Sequence, residues 1–86
     1  MIEIRYAPTF VRMYKKLDPR LKHDVKQAVI LFKERDNHLV LRVHTLHGRL
    51  SGMQAFSVNY KIRIVFEFKD GVAHLLYVGH HDDMYR

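Results

Sequence analysis

The sequence predicts an α+β fold in which a strand, two helices and three antiparallel strands follow one another, with the helical hairpin on one face of the sheet. Three patterns indicate this order. Apolar and charged residues alternate at the N-terminus, two amphipathic stripes of helical spacing follow, and after Gly52 the apolar period returns to two. Residues 1–86 are expected to form a single domain, because a chain of this length builds one core.

The first strand and both helices are predicted from spacing and from signals at their ends. Apolar residues alternate through Tyr6, and Pro8 then opens the first helix. Asp18 is placed to cap the second helix, and Pro19 suits its first position. The helix is expected to end near residues 34–37. The two apolar stripes consist of Phe10, Met13, Tyr14 and Leu17 in the first helix, and of Leu21, Val25, Ala28 and Phe32 in the second.

The remaining chain is predicted to hold a connector and three strands. Residues 38–52 form the connector, partly extended and facing solvent on one side. Alternation then predicts one strand through Tyr60, a second over residues 62–68, and a third that follows a tight turn at Asp70 and Gly71. In the second of these strands the residues expected to face the helices are Ile62, Ile64, Phe66 and Phe68. Arg63 therefore lies on the opposite, open face, together with Val65 and Glu67.

Composition narrows the class of partner. Fifteen Lys and Arg residues against nine Asp and Glu give a net charge of +6, which favours a polyanion, with nucleic acid first and an acidic protein second. Without cysteine the chain forms neither disulfides nor a cysteine-based zinc site. No apolar run reaches the length of a membrane span, and the N-terminus lacks the layout of a signal peptide. We expect a cytoplasmic protein with no membrane partner.

The chain ends in YVGHHDDMYR, a cluster of titratable groups. Because the last strand pairs antiparallel with the strand that carries Arg63, this end is expected to lie close to Lys61 and Arg63. Strand alternation puts His80 and His81 on opposite sides unless Gly79 breaks the pattern, so one histidine at most is expected to face Arg63.

Four segments, in this order and spacing, resemble the RelE/ParE superfamily of bacterial toxins from type II toxin–antitoxin pairs, and within it the RelE- and YafQ-like messenger-RNA endonucleases. They are FVRMYKKLDPRLK, VHTLHGRLSG, YKIRIVFEF and LLYVGHHDDMYR, and together they cover nearly the whole chain. The resemblance implies a RelE-like fold and a metal-independent endoribonuclease without a cofactor, acting on messenger RNA on the ribosome. It also implies a short, acidic cognate antitoxin that binds the basic groove in a hetero-oligomer.

The resemblance carries over to individual positions. His44 matches a catalytic histidine of YafQ-type members, and Arg63 matches the arginine that RelE-type members use on the reacting phosphate. His81 matches the terminal G-x-H histidine, and Tyr85 matches the terminal aromatic residue.

Two positions depart from the YafQ-type pattern. Ser57 stands where those members have a second histidine, and Lys61 stands where they have an aspartate. The site therefore resembles a hybrid of YafQ-like histidines and a RelE-like arginine.

Metal-free RNA cleavage uses the 2′-hydroxyl as nucleophile, and it needs a base, an acid and a fixed positive charge. Histidine, with an ordinary pKa of about 6.5, serves as either acid or base. We assign His81 as general acid, His44 as general base and Arg63 as the group that stabilises the transition state. Supporting roles go to His47, Arg49 and Lys61 as phosphate contacts, to Asp82 in orienting a histidine ring, and to Tyr85 in stacking on a base.

Each assignment has a structural alternative. His44 is equally well explained as a solvated connector residue, Arg63 as a partner of Glu67, and Tyr85 as an anchor of the C-terminus. We expect three other histidines, His23, His38 and His74, to be ordinary surface residues. Zinc is a weaker possibility, because its ligands would have to come from a set without a zinc-like spacing: His44, His47, His80, His81 and Asp82.

Two alternative functions remain for the same fold. One is inhibition of DNA gyrase, as in ParE-like members, and the other is antitoxin binding by an inactive homologue. The histidine-rich end favours the endonuclease, because a toxin that only binds needs no acid–base groups there.

Overall fold

Five strands and two main helices form this computed structural model, which describes residues 1–84. Along the chain the elements are β1 (Glu3–Tyr6), α1 (Pro8–Lys15), α2 (Pro19–Phe32), β2 (His44–Thr45), β3 (Gln54–Ser57), β4 (Ile62–Lys69), β5 (Val72–His80) and the short α3 (His81–Met84). Two 3₁₀ turns, Arg35–Asn37 and Gly48–Leu50, lie in the connections. Within this part of the chain, no helix is both long and apolar enough to cross a bilayer.

The strands make one sheet in the order β1-β5-β4-β3-β2. Its neighbouring strands are antiparallel except at one edge, where β1 runs parallel to β5. The turn between β4 and β5 has positive φ at both Asp70 (54°) and Gly71 (78°), as a two-residue hairpin turn requires. The predicted α+β fold with a helical hairpin on the sheet is confirmed; the short strand β2 is an addition to it.

The second helix begins as predicted. The Asp18 carboxylate accepts a hydrogen bond from the Leu21 backbone N–H at 2.9 Å, and Pro19 occupies the first turn. The helix ends at Phe32, slightly before the expected region, because side chains from the following turn bind its last carbonyl groups. The Asn37 amide donates to the Leu31 carbonyl at 2.9 Å, and His38 Nε2 donates to the Phe32 carbonyl at 2.8 Å.

His38 is therefore a structural residue, and the prediction that it is an ordinary surface histidine was wrong. Its ring is half-buried and stacks on Phe32, with 4.6 Å between ring centroids. Phe32 also stacks on Phe56 at 4.4 Å and meets the edge of Phe66 at 4.8 Å. These aromatic rings join the C-terminal end of α2 to the helix-facing side of the sheet.

Both faces of the sheet are partly covered. Ile62, Ile64 and Phe66 pack in the main core beneath the helices, as their alternation predicts. On the other face Val65 is 0% exposed, because it packs with Leu46 and other residues of the connector in a second, smaller core. The expectation of an open face was therefore wrong at Val65, and the connector supplies β2 and a cover over this part of the sheet.

A groove between the two helices holds Tyr6. It has a volume of about 410 Å³ and is lined mainly by apolar side chains, among them Phe10, Tyr14 and Val29. Partial burial raises the pKa of the Tyr6 hydroxyl, and the neighbouring Tyr14 raises it further. Tyr6 pairs with Leu75 of β5, so this apolar groove lies away from the C-terminal end of that strand.

The turn before β2 places Arg42 in left-handed backbone, with φ of 59°. Because a Cβ atom is unfavourable there, Arg42→Gly is expected to stabilise the fold by about 0.5–1 kcal/mol, whereas Arg42→Ala keeps the Cβ and is expected to gain nothing. Urea unfolding of the three proteins measures the difference. Equal stability of the glycine and alanine variants would show that this turn stores no such strain.

Candidate active site

The end of β5 and the beginning of β4 lie side by side. Ile62 pairs with His80 and Arg63 pairs with Gly79, and the His81 backbone N–H donates to the Lys61 carbonyl at 2.9 Å. The antiparallel hairpin thereby brings the C-terminal segment next to Lys61 and Arg63, as strand pairing predicts. The open pocket formed there has a volume of about 490 Å³ and is lined by Tyr60, Lys61, Arg63, His80, His81 and Asp82.

Arg63 lines this pocket, and backbone oxygens hold its guanidinium. Its Nη1 donates to the Asn59 carbonyl at 2.6 Å and to the Ile62 carbonyl at 3.3 Å. These bonds use Nη1, so the N–H groups of Nε and Nη2 remain available for the two oxygens of a bound phosphate. Among residues 1–84 no ion pair joins Arg63 to Glu67 or to another carboxylate, so the alternative of a structural ion pair has no support.

Arg63 has two small residues as its neighbours on the adjacent strands. On β3 its pair is Ser57, and on β5 its pair is Gly79, which has no side chain. Side chains directly opposite one another in a sheet share a face, so larger residues at these two positions would fill the room beside the guanidinium. Arg63 itself is half-buried between these two small neighbours.

The loop between β3 and β4 is organised by Asn59. The Asn59 side-chain oxygen accepts hydrogen bonds from the Lys61 and Ile62 backbone N–H groups, both at 2.8 Å. The predicted strand through Tyr60 was therefore too long, because β3 ends at Ser57 and the chain turns. Asparagine favours such turns since its side chain imitates a backbone acceptor.

Asn59→Ala is expected to destabilise the fold by about 1–2 kcal/mol, because two backbone N–H groups lose their acceptor. Asn59→Asp keeps an oxygen in the same place, so its loss should be less than half as large. Urea unfolding gives both values. A similar loss in the two variants would mean that the side-chain oxygen is not the source of the stability.

Both terminal histidines reach the pocket. His80 is the last residue of β5, and His81 begins α3, so the strict alternation of a strand stops between them. His80 pairs with Ile62, whose side chain packs beneath the helices, so His80 belongs to the face opposite Arg63 and borders the pocket from that side. The register therefore agrees with the expectation that one histidine at most faces Arg63. Asp82 Oδ1 lies 3.5 Å from His81 Nδ1, a long contact with the Asp82 side chain 94% exposed, so Asp82 orients the ring only weakly.

His44 has a defined orientation at the other end of this face. Its Nδ1 lies 2.8 Å from the Arg42 carbonyl, and because a carbonyl only accepts, Nδ1 carries the proton. In the neutral ring Nε2 is then the atom with a free electron pair, which is the state that a general base requires. His44 remains an exposed residue, and this hydrogen bond to a residue two positions before it orients its ring.

The structure does not bring His44 into the pocket. His44 pairs with Ala55, and Ala55 pairs with Val65, so these residues form one row across the sheet. With strands about 4.8 Å apart and residues about 3.4 Å apart, the Cα atoms of His44 and Arg63 are about 12 Å apart on the same face. A substrate that contacts both side chains has to lie across β3.

No protein-family model matches the sequence, and comparison with curated proteins gives no match. Solved structures do match. YafQ from E. coli strain BL21(DE3) superposes with a TM-score of 0.82 at 16% identity over 100% of both chains. YafQ in the E. coli DinJ–YafQ toxin–antitoxin complex gives 0.76 at 18% identity, also over 100% of both chains. The RelBE2 toxin–antitoxin complex from Mycobacterium tuberculosis gives 0.65 at 25% identity, over 93% of this chain and 98% of that one.

This chain has the RelE-like toxin fold. The pocket at the end of β5 is lined by four of the site residues that were selected from the sequence: Lys61, Arg63, His81 and Asp82. The 3₁₀ turn that contains Arg49, and His47 just before it, lie in the connector and do not line that pocket. Tyr85 lies outside the described residues.

The sequence analysis missed two residues at or beside the pocket at the end of β5. Asn59 fixes the loop, and Tyr60 stands at the rim with its side chain exposed. The regular alternation of residues 56–60 concealed both, although an asparagine between two apolar runs is itself a turn signal. Within residues 1–84 there is no group of three histidine or acidic side chains able to hold a metal ion.

Proposed function

We propose that this chain is a toxin that cleaves messenger RNA on the ribosome and is neutralised by a cognate antitoxin. The observation that carries the proposal is the meeting of Arg63 and His81 in one open pocket at the ends of β4 and β5. An arginine with free donors beside a histidine is suited to hold a phosphate and to transfer a proton to it. The fold adds support, since its structural neighbours include toxins from toxin–antitoxin complexes.

The reaction begins at the 2′-hydroxyl of the nucleotide before the cut. His44 Nε2 is the proposed acceptor of the hydroxyl proton as the oxygen attacks the adjacent phosphorus. Because His44 lies outside the pocket, this role requires the substrate to lie across β3, so that one phosphodiester is within reach of both His44 and Arg63. The bond from phosphorus to the 5′-oxygen breaks, and His81 donates a proton to that oxygen. The products are a 2′,3′-cyclic phosphate and a 5′-hydroxyl end, and no step in this scheme requires a metal ion or a cofactor.

Arg63 acts on the charge that develops during attack. The pentavalent phosphorus carries more negative charge on its free oxygens than the starting diester does, and Nε and Nη2 of Arg63 are free to donate to them. Because backbone carbonyls already fix Nη1, the guanidinium needs little reordering when the substrate binds. Lys61, at the rim, and Arg49 and His47, in the connector, are proposed to contact flanking phosphates.

An acidic antitoxin is the proposed partner in a hetero-oligomer. The chain carries a net charge of +6, and the pocket places Lys61 and Arg63 close together, so a short acidic segment is electrostatically complementary to it. Such a segment would fold on binding. Because ribosomes are the site of action, the proposed location is the cytoplasm.

The test is incubation of the purified protein with ribosomes programmed with messenger RNA, beside a gyrase supercoiling assay. We expect cleavage within translated codons, cyclic-phosphate ends and no effect on gyrase. Gyrase inhibition without RNA cleavage would instead support the ParE-like function. If neither activity appears while an acidic antitoxin still binds, the chain is an inactive homologue.

A further inference from the structure

Tyr60 lines the pocket, and the cleavage scheme does not use its side chain. It is 82% exposed and stands in the loop between β3 and β4. Its ring borders the pocket of Arg63 and His81, and it also borders a second open pocket of about 530 Å³ against the beginning of α2, where Arg20 lies. Tyr60 therefore forms part of the ridge between two neighbouring concavities.

The position of Tyr60 is tied to that of Arg63. Asn59, the residue before it, holds the loop through two 2.8 Å hydrogen bonds to its side-chain oxygen. The Asn59 carbonyl also accepts the 2.6 Å hydrogen bond from the Arg63 guanidinium. The backbone that carries the Tyr60 ring is thus held at a fixed place relative to the proposed phosphate-binding group.

A cation lies beside the ring. Lys61 Nζ is 5.6 Å from the centroid of the Tyr60 ring, within the range of a cation–π contact. An exposed aromatic ring placed among cations is the arrangement with which proteins bind single-stranded nucleic acids, because bases stack on the ring while phosphates contact the charges. Tyr60 supplies a ring on which a base can stack, and Lys61 and Arg63 supply charges that can contact phosphates.

We propose that Tyr60 is a base-stacking subsite that binds one unpaired nucleobase next to the phosphate held by Arg63. The inference rests on the proposed function for its substrate class, single-stranded RNA. Stacking is tolerant of base identity, so this subsite fixes the position of the strand and does not select a sequence. It binds a single strand in the absence of the ribosome.

The chain contains no tryptophan, so Tyr60→Trp introduces a single fluorescent reporter at the subsite. The probe is a fluorescently labelled five-nucleotide deoxyadenosine strand, which has bases and phosphates but no 2′-hydroxyl to be attacked. An abasic strand of equal length is the control for phosphate contacts alone. Tyr6→Trp, in the groove between the helices, is the matched control for a tryptophan elsewhere.

We expect the deoxyadenosine strand to quench the fluorescence of Tyr60→Trp in parallel with binding measured by anisotropy of the label. The abasic strand should bind more weakly without quenching, and Tyr6→Trp should show no quenching with either strand. Tyr60→Ala should bind the deoxyadenosine strand about 5- to 150-fold more weakly than the unaltered chain, and Tyr60→Phe should bind it nearly normally.

The outcomes separate this subsite from the proposed function. Binding without quenching, an equal response in Tyr6→Trp, or unchanged affinity in Tyr60→Ala overturns the subsite and leaves the endonuclease in place. Absence of binding to the free strand also overturns it. Quenching and weakened Tyr60→Ala binding in a protein that does not cut messenger RNA on ribosomes would overturn the endonuclease and retain the subsite.

Discussion

Replacing His81 with alanine is expected to lower messenger RNA cleavage by about 10²- to 10⁴-fold, the usual contribution of general acid–base catalysis. In the proposed mechanism the leaving 5′-oxygen receives its proton from this ring, and without it the oxygen departs as an unstabilised alkoxide. The side chain is half-exposed at the beginning of α3, so its removal takes no packing from the core. The fold should therefore survive while the rate falls.

His80→Ala is the matched control, because it removes a neighbouring histidine from the same pocket. Its cleavage rate should remain within a few-fold of that of the unaltered protein. Both variants are compared in the programmed-ribosome assay, with far-UV circular dichroism as the check on folding. If His81→Ala cuts at the normal rate, His81 is not the acid. If His80→Ala loses as much activity as His81→Ala, the role cannot be assigned to His81 alone.

Phe32→Ala is expected to destabilise the protein by about 3–5 kcal/mol, a large part of the 5–15 kcal/mol that holds a typical domain folded. Phe32 is 0% exposed and contacts Phe56, Phe66 and His38 through its ring. Truncation leaves a cavity where the end of α2 meets the sheet. Because three ring contacts are lost at once, the helix end and the following turn should both loosen.

The neighbouring Leu31 is the control, since it belongs to the same turn of α2 but is 44% exposed, whereas Phe32 is fully buried. Leu31→Ala should change stability by no more than about 0.5 kcal/mol. Urea unfolding followed by circular dichroism measures both variants. A loss below about 1 kcal/mol for Phe32→Ala would show that the aromatic cluster is not central to the core.

The candidate site could be predicted in part. Period-two alternation placed Arg63 on the face away from the helices, and antiparallel pairing placed His81 next to it; the structure gathers both in one pocket. The position of His44 could not be predicted in the same way. Its distance from Arg63 depends on β2 joining the far edge of the sheet through β3, and no local pattern signals this pairing.

The sequence by itself determined the features that depend on neighbours in the chain. These include the Asp18 cap, the Pro19 helix start, the turn at Asp70 and Gly71, and the side of β4 on which Arg63 lies. Local backbone preferences and short apolar periods depend only on residues that are close in the sequence, so they can be predicted without knowledge of the fold.

Only the tertiary structure decided the features that join distant segments. It buried Val65 beneath the connector, stacked His38 on Phe32, and tied the loop of Tyr60 to Arg63 through Asn59. It also placed β1 parallel to β5 at the sheet edge. The physical reason is that a side chain's burial and partners are fixed by which surfaces meet when the chain packs, and that depends on every element at once.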